Sequence, residues 1–233
     1  MAPPPTTCAG STGIRIATET RLAKQALGRY AGQVDKALPS RRDELLDLAA
    51  AMFAERGLRA TTVRDIADSA GILSGSLYHH FKSKEQMVEE VLRDFLDWLF
   101  GRYEEIVAST TDPLERVKGL FMVSFEAIED RHAQVVIYQD EAKRLSGLPQ
   151  FDFVETRNKE QRKMWLDLLN QGVEQGYFRP DIDVDLVYRF IRDTTWVSVR
   201  WYQPGGPLTA EEVGRQYLSI VLGGITKEGA NNA

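Results

Sequence analysis

One stretch constrains this chain more than any other: Thr62–Phe81, TVRDIADSAGILSGSLYHHF. Thr62-Val63-Arg64-Asp65 reads as a capping box, in which the Thr hydroxyl accepts the third amide proton of a helix and Asp65 reaches back to the cap. That opens a short helix through Ala67 to Ser69, ended near Gly71. A second short helix follows over about Ser74–His80. Ile66, Ala67, Ile72 and Leu77 form the contact between them, and the small Ala67 and Gly71 let them cross closely. Two short helices around a tight turn make a helix-turn-helix. Its second helix is short, partly polar and open along one side, as a major groove about 12 Å wide requires.

The surroundings are helical throughout. Leu45, Leu46, Leu48, Ala49, Met52 and Phe53 recur at helical spacing before a stop at Gly57. Ser83-Lys84-Glu85-Gln86 is a second capping box, opening a long helix with Met87, Val88, Val91, Leu92, Phe95, Leu96, Leu99 and Tyr103 along one side. Asp112-Pro113 starts a segment through Glu129. Further helices are expected over about His132–Leu145, Phe151–Gln175, Val184–Tyr202 and Thr209–Lys227, with Thr209 and Glu212 as the last capping pair. No hairpin dipeptide and no internal repeat interrupts them. The expected fold is all-α with about nine helices. Residues 1–38, rich in Pro, Thr, Ser, Gly and Ala, read as a flexible leader. Residues 39–85 are expected to form a three-helix helix-turn-helix domain, and residues 86–233 a second, larger helical domain.

Charge divides the chain the same way. The net charge is −5 over 233 residues. Residues 1–40 carry five Lys/Arg against two Asp/Glu, residues 41–84 seven against six, and the remainder 17 against 26. The N-terminal part is therefore the candidate for meeting a polyanion. The single cysteine, Cys8, can form neither an internal disulfide nor a thiolate cluster, which fits a reducing compartment. No run approaches the roughly 18 apolar residues of a membrane span. The leader lacks a signal-peptide apolar region. A cytoplasmic location with no membrane partner is the expectation.

The matched residues Phe53-Ala54-Glu55-Arg56-Gly57, Thr61-Thr62-Val63, Ile66-Ala67, Ala70-Gly71, Gly75-Ser76-Leu77-Tyr78-His79-His80-Phe81 and Ser83-Lys84-Glu85 closely resemble the TetR family of transcriptional regulators. Leu73 departs from the pattern, standing where a small N-capping hydroxyl is usual, with Ser74 the neighbouring substitute. The resemblance implies a dimer on a pseudo-palindromic double-stranded DNA operator. Thr62 would present amides and its hydroxyl to a phosphate. Tyr78 and Lys84 would also reach phosphates. Ser74, Gly75, Ser76 and His79 are the candidates near base edges, and Arg41 and Arg42 for a phosphate or the minor groove. Leu77, Phe81 and Ile66 read as core, and His80 as packing or solvent-exposed. His79-His80 makes a poor metal pair, because helical neighbours point about 100° apart and no third ligand is in sight.

The resemblance also implies a small-molecule effector, a pocket and a dimer interface in the C-terminal part. Val184–Tyr202 and Thr209–Lys227 are apolar on more than one face, which calls for a second burial partner such as a two-fold four-helix interface. Arg192 and Trp196 are four apart on one helix face, and Arg200 continues the row. Two readings stay open: the arginines hold anionic groups of a ligand while Trp196 stacks on a flat part, or Arg192 pairs with Asp193 or with an acid across a dimer. Arg162, Lys163 and Trp165 form a second basic-aromatic cluster. Gln161, Met164 and Leu168 beside it leave room for this helix to line a cavity, although Arg157, Lys159, Arg162 and Lys163 also fit a solvated face. His132–Ala142 and Arg189–Tyr202 resemble, more narrowly, the actinobacterial repressors of late steroid-ring (cholesterol C/D ring) catabolism. That likeness implies a CoA thioester as effector, for which basic-aromatic surfaces are suited.

An enzyme would need groups that are not here. The sequence has no Gly-rich phosphate loop, no Cys/His pair and no Ser elbow, and no cofactor motif. A helical adaptor without DNA binding is the remaining rival, and the intact Thr62, Tyr78 and Lys84 speak against it. The expected mechanism is a ligand-driven tilt of the long helix from Ser83 to Val107 that alters the separation of two recognition helices.

Overall fold

The computed structural model describes residues 40–145 and 147–226, with only the backbone at positions 142 and 143. The expected leader, with Cys8, lies outside the described residues. The described chain divides into two units, one ending at Met87 and one beginning at Val88.

The first unit holds α1 (Arg41–Arg56), α2 (Val63–Ser69), α3 (Ser74–His80) and the start of α4 (Lys84–Ser109). Ser40 caps α1 through a reciprocal box with Asp43. Leu45, Ala49, Met52 and Phe53 of α1, Ile66 and Ala67 of α2, and Leu77 and Phe81 around α3 are all buried together with Met87. The turn at Gly71 needs a positive φ of 68°, which glycine adopts without strain. Ser83 accepts the Gln86 amide proton at 3.1 Å, but the Gln86 side chain accepts from the Lys82 amide at 2.6 Å. The expected box therefore closes one residue earlier than its sequence pattern suggests.

The second unit holds the rest of α4, then α5 (Pro113–Asp130), α6 (His132–Asp140), α7 (Ala142–Leu145), α8 (Asp152–Glu174), α9 (Val184–Val197) and α10 (Ala210–Ile225). The helix expected over His132–Leu145 is broken at Glu141 (φ −106°), a buried residue that pairs with Arg144. Counting that pair as one broken helix, the described residues carry nine helical stretches. Among them no strand forms, only an isolated antiparallel bridge between Phe178 and Thr226.

Caps fix where these helices begin. Asp112 accepts from the Leu114 and Glu115 amides with Pro113 at the first turn, Asp183 does the same for Asp185 and Leu186, and Thr209 forms a full box with Glu212. Small residues fix how closely they pack. A Cβ on Gly119 would stand 2.4 Å from Ile106, so α4 and α5 meet through hydrogen there. Gly214 brings α10 onto Met122 and Phe125 of α5 in the same way, with 3.1 Å to each. The core they enclose includes Phe95, Tyr103, Phe121, Phe125 and Trp196. No helix among the described residues is long and apolar enough to cross a membrane.

Candidate DNA interface and effector slot

In the first unit the predicted reading surface divides into groups already committed and groups still open. Thr62 caps α2 as expected, but both its amide and its hydroxyl donate to Asp65, at 2.8 and 2.6 Å. Those two hydrogen bonds hold the Asp65 carboxyl below its usual range. The hydroxyl proton is thus taken, and the amides of Val63 and Arg64 are what a first helical turn leaves open to an anion. Arg41 donates to Glu44 at 2.7 Å and to the Ala70 carbonyl at 2.9 Å. Arg42 lies over the Phe81 ring, 4.6 Å from its centre.

Lys84 departs most from its expected place. Its ammonium donates to the carbonyls of Leu58 at 2.8 Å and Thr61 at 2.6 Å, so two of its three donors staple the α1–α2 loop to the start of α4. Replacing Lys84 by Met is expected to remove both hydrogen bonds and cost about 1–3 kcal/mol, read as a lowered midpoint in urea unfolding. An unchanged midpoint would return Lys84 to a purely DNA-facing role.

Helix α3 presents the remaining candidates. Tyr78 is 56% exposed, His79 and Gly75 are exposed, and Ser74 and Ser76 are half-buried. Leu73 is the N-cap, with no side-chain cap at all and 80% exposure. Ser74 is the first helical residue and does not substitute as a cap. A bare, uncapped N-terminus on the recognition helix costs stability of the order of 1 kcal/mol. Leu77 and Phe81 are core, as expected.

In the second unit the predicted ligand residues are partly drawn together. Trp165 of α8 and Arg192 and Trp196 of α9 line one narrow slot with Ser124, Gln161, Tyr188, Ile191 and Thr195. The enclosed space amounts to about 10 Å³, room for at most one water. Trp196, only 4% exposed, packs edge-on against Phe95 and Tyr138 with ring centres 6.4 and 6.1 Å apart. Arg192 keeps 40% of its side chain exposed and donates to Asp193 at 2.7 Å. It stands above the Tyr188 ring.

Two predicted residues do not reach the slot. Arg200 is 64% exposed and pairs with Asp140 at 3.3 Å. The helix expected to run to Tyr202 stops at Val197, and Ser198–Arg200 winds as a 3-10 turn. A 3-10 turn advances about 120° per residue against about 100° in an α-helix, which rotates Arg200 off the Arg192–Trp196 row. Arg162 points outward and pairs with Asp185 at 2.6 Å, which Arg189 also holds. The expected Arg162–Trp165 cluster is therefore split between solvent and core.

Sequence reasoning missed the polar floor of the slot. The Tyr103 hydroxyl, fully buried, accepts from the Gln161 amide at 3.2 Å and bonds Ser124 at 3.0 Å. Ser124 in turn donates to the Leu120 carbonyl at 3.0 Å. Burial pushes the phenol up to about 12, against the opposing pull of the Ser124 and Gln161 hydrogen bonds. The available signal was Ser124 and Gln161 standing at core positions of apolar helix faces. A larger groove of about 540 Å³ lies between α4, α5 and the start of α10, but Glu126, Glu129, Asp130 and Glu211 outnumber Arg102 on its walls. Such a rim repels phosphates, so the slot beside Arg192 is the better fit for an anionic ligand.

A helix-turn-helix unit followed by a larger helical unit is the arrangement of a DNA-binding transcriptional regulator. The chain belongs to the TetR family and is a transcriptional repressor of that type, not an enzyme: residues 45–91 match the bacterial regulatory proteins of the tetR family, and residues 110–225 the tetracyclin repressor-like C-terminal domain. It is 84% identical over 188 residues to the HTH-type transcriptional repressor KstR2 of Mycolicibacterium smegmatis, covering 81% of this chain and 92% of that protein. A solved structure of the ketosteroid transcriptional regulator KstR2 of Mycobacterium tuberculosis is 77% identical, with a TM-score of 0.81 over 84% of this chain and all of that one. The fold is also that of AibR in complex with isovaleryl coenzyme A and operator DNA, at 23% identity, a TM-score of 0.70, and 78% and 97% coverage.

Proposed function

We propose that this repressor binds a pseudo-palindromic operator as a homodimer and is released by a CoA thioester of a steroid-ring degradation intermediate. The observation that carries the effector reading is the slot itself. A cation at its mouth, Arg192, adjoins walls of Trp196, Trp165 and Tyr188, which suits an anionic carrier joined to an apolar ring system. The 84% and 77% identities to KstR2 repressors support the steroid pathway. AibR, solved with isovaleryl coenzyme A and operator DNA, supports an acyl-CoA and an operator as the two kinds of ligand, and leaves release to the test below.

Leu186, Phe190, Val197 and Trp201 around α9, and Ile220 of α10, are large apolar groups left exposed in the single chain. A two-fold four-helix contact would bury them. On DNA, Tyr78 and the α2 amides act on phosphates, while Ser74, Gly75, Ser76 and His79 sit near base edges. The effector acts only through its different affinity for the DNA-bound and released conformations.

The test is a mobility shift with a fluorescent palindromic fragment from upstream of the chain's own gene, titrated with steroid-ring acyl-CoA thioesters. The expected result is a shifted band that the thioester dissolves. Tyr78→Ala is expected to weaken the band about ten-fold while leaving dimer and ligand affinity alone. No shift at low salt would overturn the repressor reading, and a thioester that binds but leaves the complex intact would overturn induction.

A further inference from the structure

Thr195 is the anomaly in the slot. It is 2% exposed, and its hydroxyl has no hydrogen-bond partner among the described residues. A helical threonine ordinarily donates to the carbonyl a turn back. Thr194 does so, to Phe190 at 2.6 Å, and Ser198 donates to the Thr195 carbonyl at 2.5 Å. Thr195 alone of the three lines the slot, and its hydroxyl is without a partner. An unsatisfied buried hydroxyl destabilises the state that holds it.

The neighbouring polar groups cannot relieve it. The Gln161 amide donates to Tyr103, Tyr103 to Ser124, and Ser124 to the Leu120 carbonyl. The protons that link those three residues run toward Leu120, and none of these bonds involves Thr195. In the resting slot no acceptor among the described residues stands within hydrogen-bond reach of the Thr195 hydroxyl. Arg192 lies one turn from Thr195 on α9, about 4.5 Å along the axis, and it is the solvent-facing end of the same slot.

We propose that Thr195, beside the fixed Gln161–Tyr103–Ser124 chain, is an oxygen-reading subsite at the closed end of the slot, taking a carbonyl or hydroxyl oxygen carried by the apolar ring portion of the effector. This rests on the thioester reading above. Arg192 at the open end meets the anionic carrier, and Thr195 at the inner end selects rings that still bear oxygen over fully reduced ones. A site that leaves a buried donor unpaired discriminates strongly against the analogue without the acceptor.

The test compares wild type, Thr195→Val and Thr195→Ser with two matched probes, (oxocyclohexyl)propanoyl-CoA and cyclohexylpropanoyl-CoA. The readout is the concentration that half-dissolves the operator complex. Wild type and Thr195→Ser are expected to prefer the ketone about ten-fold, and Thr195→Val to respond to both within about two-fold. A preference retained by Thr195→Val, or absent in wild type, overturns the subsite. If neither thioester releases wild type, the thioester reading fails, and the subsite is then decided by thermal shift with the two free carboxylic acids. A ketone-dependent rise in wild type that Thr195→Val loses supports it, and equal shifts overturn it. Without any ligand, Thr195→Val should melt at or above the wild-type temperature, since it removes an unsatisfied group; a clear loss of stability would show that the hydroxyl is already paired and would also overturn the proposal.

Discussion

Replacing Arg192 by alanine is expected to raise the effector concentration needed to release the operator by about ten- to hundred-fold, while operator affinity stays within about two-fold of wild type. The asymmetry follows from what Arg192 touches. Its partner in the resting molecule is Asp193, its sequence neighbour, in a pair with both side chains well exposed. Such a surface pair contributes at most about 1 kcal/mol, so the fold barely registers its loss. A guanidinium meeting a phosphate or carboxylate contributes about 1.5–3 kcal/mol. A titration of the protein–DNA complex against the thioester measures the difference, with a melting curve as control. An unchanged release concentration would reduce Arg192 to the partner of Asp193, the second of the two readings that its sequence context allows.

Gly172→Ala is expected to lower the melting temperature by roughly 3–10 °C, corresponding to overpacking of about 1–3 kcal/mol. A Cβ there would stand 2.2 and 2.3 Å from two carbons of the Phe178 ring. That ring cannot yield. It is fully buried, its amide donates to the Gly172 carbonyl at 3.0 Å, and its residue bridges Thr226. Gly101→Ala on α4 is the control, because nothing lies within 4 Å of its Cβ position. Calorimetry on both variants separates the two cases, and a normal melting temperature for Gly172→Ala would show that the α8–Phe178 contact is loose.

Local chemistry was legible in the sequence. Thr62-Asp65, Asp112-Pro113 and Thr209-Glu212 each announce a helix start within four residues, and each start is where they place it. The pairing of Arg192 with Trp196 on one face follows from their spacing alone. The losses come where distant chain segments meet. Lys84 finds its carbonyls 26 and 23 residues back, and a charged residue at a helix start gives no hint of them. Tyr103, Ser124 and Gln161 lie on α4, α5 and α8, so their network exists only once three helices are packed. Arg200 was misplaced for a different reason. An apolar pattern continues smoothly through Val197, and nothing in it marks the tightening from α to 3-10 that turns the arginine toward Asp140.

The slot of about 10 Å³ has a consequence for apparent affinity. No ring system enters a space of that size without the aromatic walls parting first. The apparent affinity of any effector is therefore its affinity for the open form multiplied by the fraction of time the walls stand open. Substitutions that loosen the packing of Trp196 against Phe95 and Tyr138 act on that fraction even where they touch no ligand atom. On the effector reading proposed above, the density of the resting core would set the ligand level at which the operator is released. Sensitivity can then be tuned from behind the binding surface, without altering which molecule is recognised.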